Sequence, residues 1–512
     1  MLLKIKYFFD SLVVVFMLHF TLALLPMAAI LIGMAGFDLP SKVVAPVCWL
    51  IAFLSGLFFF SGSASGLFET SVSGIVDGLR IVWIIFAAFT MLQAMLKAGA
   101  MDRIRNGLAH VTSDKRLMAL LLAIPFGTFL EGAAGAGSPA ALAAPFLVGL
   151  GMRPVIAAAA CLIGNSAPVS WGGAGVTTVV GTGKFVDFVQ ASAMTGRMAC
   201  FEYILLPILM LAFVFGRKAF KGIWRDVLVL GLLMGTINFS ISNIFIQITE
   251  LTSLLGGFVG TLLYSTYLTL RRENYLDIPA EYRLEHAESQ ESPSLSSFLF
   301  SLSPYFILCV LLVAVRLSVP LNHLIAFGGG YTVWVGCVIL VSAVLASFIF
   351  RHAYYLVEAM RDSFKKVVPA LLAMGFLLAM VNCMKLSGQI SALAKTLSAA
   401  AGVLYPMAAV LIGQIGGFIT GTNLGSNLMF NPLHMEVVKS LALNPVTVVA
   451  AQNTGGAIGN MICPNNVVAV CACVSILGRE GEVIRKTLAP SILLMLILGL
   501  LAMFYTYVLF PI

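Results

Sequence analysis

Six side chains in this sequence stand out by their surroundings. Glu131, Asn165, Asn423, Asn427, Asn453 and Asn460 lie in stretches rich in Gly and small residues that interrupt apolar runs: 131–139, 164–175 (GNSAPVSWGGAG), 421–432 and 452–465 (QNTGGAIGNMICPN). The same stretches add the hydroxyls of Ser138, Ser166, Thr422, Ser426 and Thr454. Close helix packing accounts for the glycines and alanines. It does not account for an acid and five amides in the same places. A helix that begins midway through an apolar layer exposes free N–H groups and the positive end of its dipole, worth about half a unit charge. That end suits a carboxylate without a permanent lysine or arginine. Asn, Ser and Thr donors would hold the carboxylate and a neighbouring hydroxyl. The chemistry implied is recognition of a small organic anion.

Glu131 is the one acid in the four stretches. An ionised carboxylate at mid-membrane costs on the order of 3 kcal/mol or more, so the neutral form is favoured there. A titratable acid beside an anion site is what proton–anion symport requires, and Glu131 is assigned the proton-coupling role. The competing structural role is a cap on backbone N–H groups. Arg197, the other charge near membrane depth, is either a partner of Glu131 or of the anion, or a side chain reaching the interface. An enzyme would need a nucleophile with a base, or paired acids, and these stretches hold neither. No cofactor or metal is implied: the six histidines have no ligand spacing, and the nine cysteines lie mostly in apolar segments as packing residues.

Such residues need a membrane around them. Of the 512 residues, 60% are hydrophobic and 10% charged, against about 25% charged in a soluble domain. Apolar runs long enough to cross a hydrocarbon core of about 30 Å recur from end to end. The first, near 11–36, is too long for a signal peptide and reads as a span. The net charge of +8 comes from basic residues in short loops between apolar runs and does not argue for nucleic acid. The bilayer is the partner that composition requires, and a homodimer is left open.

One polar stretch, 271–297, divides the chain into a first half, 1–270, and a second, 298–512. The halves resemble each other. GTFLEG at 127–132 answers GGFITG at 416–421, and Asn165-Ser166 answers Asn453-Thr454. Gly127 precedes Asn165 by 38 residues and Gly416 precedes Asn453 by 37. The pattern predicts a re-entrant hairpin over 117–151 and a broken helix over 155–180 in the first half. In the second it predicts a hairpin over 403–440 and a broken helix over 446–477. Counting crossings puts the basic loops 97–116, 217–225, 271–272, 351–366 and 479–486 on one side, the cytoplasmic one, with the N-terminus outside. The hairpins then open to opposite sides, as in an inverted repeat. Residues 66–80 and 351–366, polar stretches before the third span of each half, read as interfacial amphipathic helices. The fold class is an all-α polytopic membrane protein, with about 12 spans plus two hairpins.

FLEGAAGAGSPAA at 129–141, LVGLGMRPVIAAAACLIGNSAPVSWGGAG at 147–175, GGFITGTNLGSN at 416–427 and AQNTGGAIGNMICP at 451–464 carry a resemblance, joined by IVWIIFAAF at 81–89 and GREGEVIRKTL at 478–488. They resemble the bacterial lactate permease family, which includes glycolate permeases. The resemblance implies a proton-coupled importer of lactate or glycolate in the bacterial cytoplasmic membrane, with an elevator movement. It places Glu131 on the family's acidic position and Asn453-Thr454 on its Asn-Thr pair. It also marks departures. Ala136 stands where a bulky aromatic is usual, Ser138 for Ala, Asn423 for Asp and Asn460 for Lys. An acid and a base are replaced together by amides, which implies a roomier, less charged pocket. A sodium-coupled carboxylate symporter is the main alternative; an anion channel would not need two hairpins.

Overall fold

The computed structural model describes residues 18–30, 32–33, 37, 39–109, 111–135, 138–271, 278–284, 295–317, 330–351 and 353–512. Among them the regular structure is helical, apart from an isolated bridge between Asp114 and Arg283. Ten helices are apolar and long enough to cross a bilayer, or eleven if the bent pair Pro154–Gly164 and Ala167–Gly181 forms one span. The chain is a multi-pass membrane protein. The expected figure of about twelve spans is not reached on this criterion, because Leu18–Ile30, Phe300–Leu312 and Val333–Ile349 are too short as described.

Prolines and small polar caps set the helix starts around the site. Pro125, Pro154, Pro406, Pro445 and Pro464 each sit in the first turn of their helix, where the missing N–H costs nothing. Thr422 caps its helix by accepting from the Gly425 N–H at 3.0 Å, and Asn444 accepts from Val446 at 3.0 Å. The stretch expected as the first hairpin folds as helices Lys115–Ala123, Pro125–Ala134 and Ser138–Gly149, and the second as Tyr405–Thr420 and Asn423–Leu441; Lys115–Ala134, and Tyr405–Thr420 as part of Gln389–Thr420, are among the helices long enough to cross. The first broken span runs Pro154–Gly164, a 3₁₀ turn Ala167–Trp171, then Gly172–Gly181, bent by 45°. The second runs Pro445–Gly459 and Pro464–Cys473. Burial sets the first arm of the first pair apart from an outer span. The apolar window of Lys115–Ala134 is 100% buried, that of Lys42–Phe59 only 33%. The hairpin arm therefore runs through protein, where irregular backbone is tolerated.

The two stretches expected as separate interfacial helices, 66–80 and 351–366, are not separate. Nearly all of each forms the opening turns of one continuous helix, Ala64–Lys97 in the first half and Ala353–Ser387 in the second. At 1.5 Å per residue each is about 50 Å long, well beyond the hydrocarbon core. They lie antiparallel. Ser71 meets Cys383 at 3.1 Å near one end, and Lys97 pairs with Glu358 and Asp362, each at 3.1 Å, near the other. Glycine allows this approach: a Cβ at Gly78 would lie 2.7 Å from the Gly375 Cα. Only one face of each opening segment is packed: Leu67, Ser71, Gly74 and Gly78 are buried in the first, while Phe68, Val72, Ile75 and Leu79 are exposed.

The polar stretch 271–297 is also shorter than expected. Helices occupy its ends, Thr252–Arg271 and Leu295–Leu317. Its described middle, 278–284, docks on the base of the first hairpin. The Leu284 N–H donates to the Ser113 carbonyl at 2.8 Å, and the Arg116 guanidinium lies 4.3 Å over the Tyr282 ring. Arg116 is itself buried. It pairs with Asp114 at 2.5 Å and donates to the Ala219 and Lys221 carbonyls at 2.8 and 3.0 Å.

Candidate functional site

Both hairpin tips and both breaks meet at one cavity of about 50 Å³. One water needs about 10–15 Å³, so the space takes a few waters or one small organic anion. The first hairpin contributes Glu131, Ala134 and Gly135, and the first broken span Val169, Gly172, Gly173, Val176 and Thr177. Gly421, Thr422, Asn423 and Leu424 come from the second tip and Asn460 from the second break. The long helices close it with Ile84, Ile85, Ala88 and Met374.

Unusual backbone builds the first break. Gly173, Ala174 and Gly175 have φ of 57°, 53° and 79°, a left-handed run that is unfavourable for alanine. Close approach explains the flanking glycines. A Cβ at Gly172 would sit 2.5 Å from Glu131 Oε1, and one at Gly135 2.9 Å from the Gly173 nitrogen. Glu131 is buried and accepts from Asn165 Nδ2 at 3.2 Å. The next residue, Ser166, donates to Glu202 Oε1 at 2.8 Å.

The second tip offers a helix N-terminus. Asn423 and Leu424 open a 19-residue helix, so their N–H groups have no acceptor within it, and both residues line the cavity. Behind them lies a network of amides. Asn453 Oδ1 accepts from Asn423 at 2.9 Å and Asn427 at 2.8 Å, while its Nδ2 donates to Thr178 and Thr195, each at 3.2 Å. Ser426 accepts from Gln452 at 2.8 Å and donates to the Gly413 carbonyl.

Of the residues expected at the site, Glu131, Thr422, Asn423 and Asn460 line the cavity. Asn165, Ser166, Ser426, Asn427 and Asn453 stand one layer back, joined to each other or to buried acids. Thr454 does not reach it. Its hydroxyl bonds the Ala450 and Ala451 carbonyls of its own helix at 3.0 and 3.1 Å. Arg197 does not pair with Glu131. Its Nε donates to Asn243 at 2.9 Å and its guanidinium lies 4.8 Å over Phe510, because its position on the helix turns it toward that side. Ala136 lies outside the described residues, as does the side chain of Ser138.

Sequence reasoning missed Thr177, the long-helix wall and Glu202. The last had a signal, being an acid inside the apolar run 198–216. It also missed the buried chain in which Tyr405 meets His434 Nδ1 at 2.7 Å and His434 Nε2 meets Gln452 at 2.8 Å.

The chain is similar to known permeases along most of its length. It is 28% identical to the glycolate permease GlcA of Escherichia coli (strain K12), over 95% of each chain. It is 29% identical to the L-lactate permease of Bacillus subtilis (strain 168), over 87% of this chain and 88% of that one. Among solved structures, the YdaH transporter of Alcanivorax borkumensis aligns with a TM-score of 0.48 at 15% identity, over 86% of this chain and 87% of that one. The family model described as L-lactate permease matches residues 19–335 and 327–509. The protein with this two-tipped cavity therefore belongs to the L-lactate permease family, a family of transporters and not of enzymes.

Proposed function

We propose that this chain imports a short 2-hydroxy monocarboxylate, lactate or glycolate, together with a proton across the bacterial cytoplasmic membrane. One observation carries the reading: Glu131 and the opening N–H groups of Asn423–Leu441 line the same small cavity. The substrate carboxylate sits at those N–H groups, where backbone dipoles favour an anion. Its hydroxyl lies within the same small space as Glu131 and Asn460. A protonated Glu131 donates to the anion and keeps the loaded site near neutral. The names of the relatives, glycolate and L-lactate permeases, point to the same acids. Hairpins and broken spans move together as an inverted repeat, an elevator block sliding on the long helices. The apolar wall of Ile84, Ile85, Ala88 and Met374 supports that division, since an apolar seam slides without breaking hydrogen bonds.

Sodium coupling is the second reading. Among the described residues, Asn423, Asn427 and Asn431 each keep a buried Oδ1 without a hydrogen-bond partner, and such oxygens suit Na⁺. Purified protein in liposomes separates the two. Labelled lactate or glycolate exchanges for internal unlabelled acid, and a proton gradient alone drives accumulation. Accumulation that follows only an imposed Na⁺ gradient selects the second reading. Failure of every C2–C4 monocarboxylate, with exchange of a dicarboxylate, sinks both.

A further inference from the structure

We propose that Glu202 is a second proton-binding carboxyl of this carrier, set one layer behind the cavity and joined to it through the Asn165–Ser166 break. The inference rests on the proton-coupled reading above. Glu202 lies in the span Phe188–Met210 and is fully buried. Among the described residues its hydrogen-bond partner is the Ser166 hydroxyl, at 2.8 Å from Oε1, and Oε2 has none.

Another acid of the same chain supplies the contrast. Asp114 is equally buried, but Arg116 reaches it with Nε and Nη2, and its Oδ1 accepts the Arg116 backbone N–H. A cation and backbone donor thus hold that buried acid. Glu202 has neither. Its partner is a hydroxyl, which donates to a carboxylate or accepts from a carboxylic acid by turning about one bond. The site thus accommodates both protonation states with no other side chain moving.

The groups around Glu202 leave it without a counter-charge. Pro445–Gly459 has no titratable residue, and Pro154–Gly164 has only Cys161. On Glu480–Phe504 the charged residues cluster at the start, where Lys486 bonds the Phe213 and Val214 carbonyls. On Trp224–Asn243 they are Arg225 and Asp226, again at the start. Arg197, on the same helix as Glu202, is engaged by Asn243 and Phe510. Tyr203 is adjacent in sequence, and Glu131 and Glu250 lie in the neighbouring hairpin and 3₁₀ segment.

Coupling to the cavity follows from the break. Asn165 donates to Glu131 and Ser166 to Glu202, so consecutive residues hold the two acids and any shift of the break alters both. In each turnover Glu202 takes one proton from water on one side and returns one to water on the other. On release, with the break shifted so that water reaches Ser166, the Glu202 O–H bond breaks, Ser166 Oγ accepts that proton while passing its own to the water, and the carboxylate left behind accepts from Ser166.

The test uses the full chain in liposomes with whichever labelled acid the wild type exchanges. In Glu202→Gln the substrate half-saturation stays at the wild-type value, because the residue does not touch the cavity. Accumulation driven by a pH gradient falls at least about tenfold, and the exchange rate keeps only the part of its pH dependence that Glu131 supplies. Glu202→Asp restores a pH-dependent rate, and Ser166→Ala displaces the profile along the pH axis. A Glu202→Gln protein with wild-type accumulation and pH profile overturns the proposal. If that variant does not insert, unchanged profiles in both Glu202→Asp and Ser166→Ala overturn it equally. A wild type that exchanges neither lactate nor glycolate fails earlier and overturns the carrier reading itself.

Discussion

The two breaks that face each other across the cavity are built on different principles. The first has three consecutive left-handed residues, Gly173 to Gly175, and buried acids close by: Glu131 against Gly172 and Glu202 on Ser166. The second keeps ordinary dihedrals, with φ of −62° at Asn460 and −61° at Cys463. Its polar residues are amides bonded to one another. The first side sets carboxyls close to the cavity; the second sets amides there, with His434 one step behind on Gln452. On the proposed function, substrate grip falls to the second half, at the opening N–H groups of Asn423–Leu441 and the amides behind them, and the response to protons to the first.

The sharpest way to break this division is Glu131→Gln. It removes the titratable group at the cavity and keeps a side chain of the same shape. Accumulation under a pH gradient is expected to fall tenfold or more, roughly 1.4 kcal/mol or more of lost coupling, while exchange persists. Accumulation at the wild-type level would make Glu131 a structural cap.

A charge placed in the neutral half is the converse. In Asn423→Asp a carboxylate replaces the Nδ2 that donates to the Asn453 carbonyl and to its Oδ1, at 2.8 and 2.9 Å. Acceptor then faces acceptor, and the expected cost is about 2–3 kcal/mol, read by thermal unfolding in detergent. Adding Asn460→Lys, on the same cavity wall, should recover much of it. Recovery without that lysine would mean the network tolerates charge and the contrast between the breaks is weaker than drawn.

Backbone strain gives a smaller effect. Ala174→Gly relieves a left-handed alanine and should stabilise by about 1 kcal/mol, less the added freedom of the unfolded chain. No stabilisation would argue that Gly173 and Gly175 already absorb the turn. Thr454→Val should change least, within about 0.5 kcal/mol, with substrate half-saturation unmoved. A raised half-saturation would return Thr454 to the binding surface.

The helix ends at Ala134, Gly164, Thr420 and Gly459 were legible because Gly, Pro and Asn inside apolar runs are local signals that any neighbour must accommodate. The rotation of a helix is not local. Asn453 and Thr454 are adjacent in sequence. One reaches across to Thr178 and Thr195 and the other bonds its own helix, a choice made by packing. Arg197 was ambiguous for the same reason, since its partners Asn243 and Phe510 come from distant segments. The starts of the long helices differ from the expectation because each polar stretch runs on into a span, with one face packed on a helix 261 to 312 residues away in the chain. Glu202 was readable, but attention to broken segments left an acid in an intact one unweighed.

The docking of 278–284 on Arg116 bears on biogenesis. Arg116 and Asp114 precede that segment by more than 160 residues. While the ribosome is still making the intervening spans, the Tyr282 ring and the Leu284 N–H do not yet exist. The base of the first hairpin is then open, with its ion pair exposed to water at the membrane surface. Only when residue 284 clears the exit tunnel does the seal close. The first half therefore completes its fold late in synthesis, after the polar stretch has emerged, and a chain cut before residue 278 would leave that hairpin without its lid.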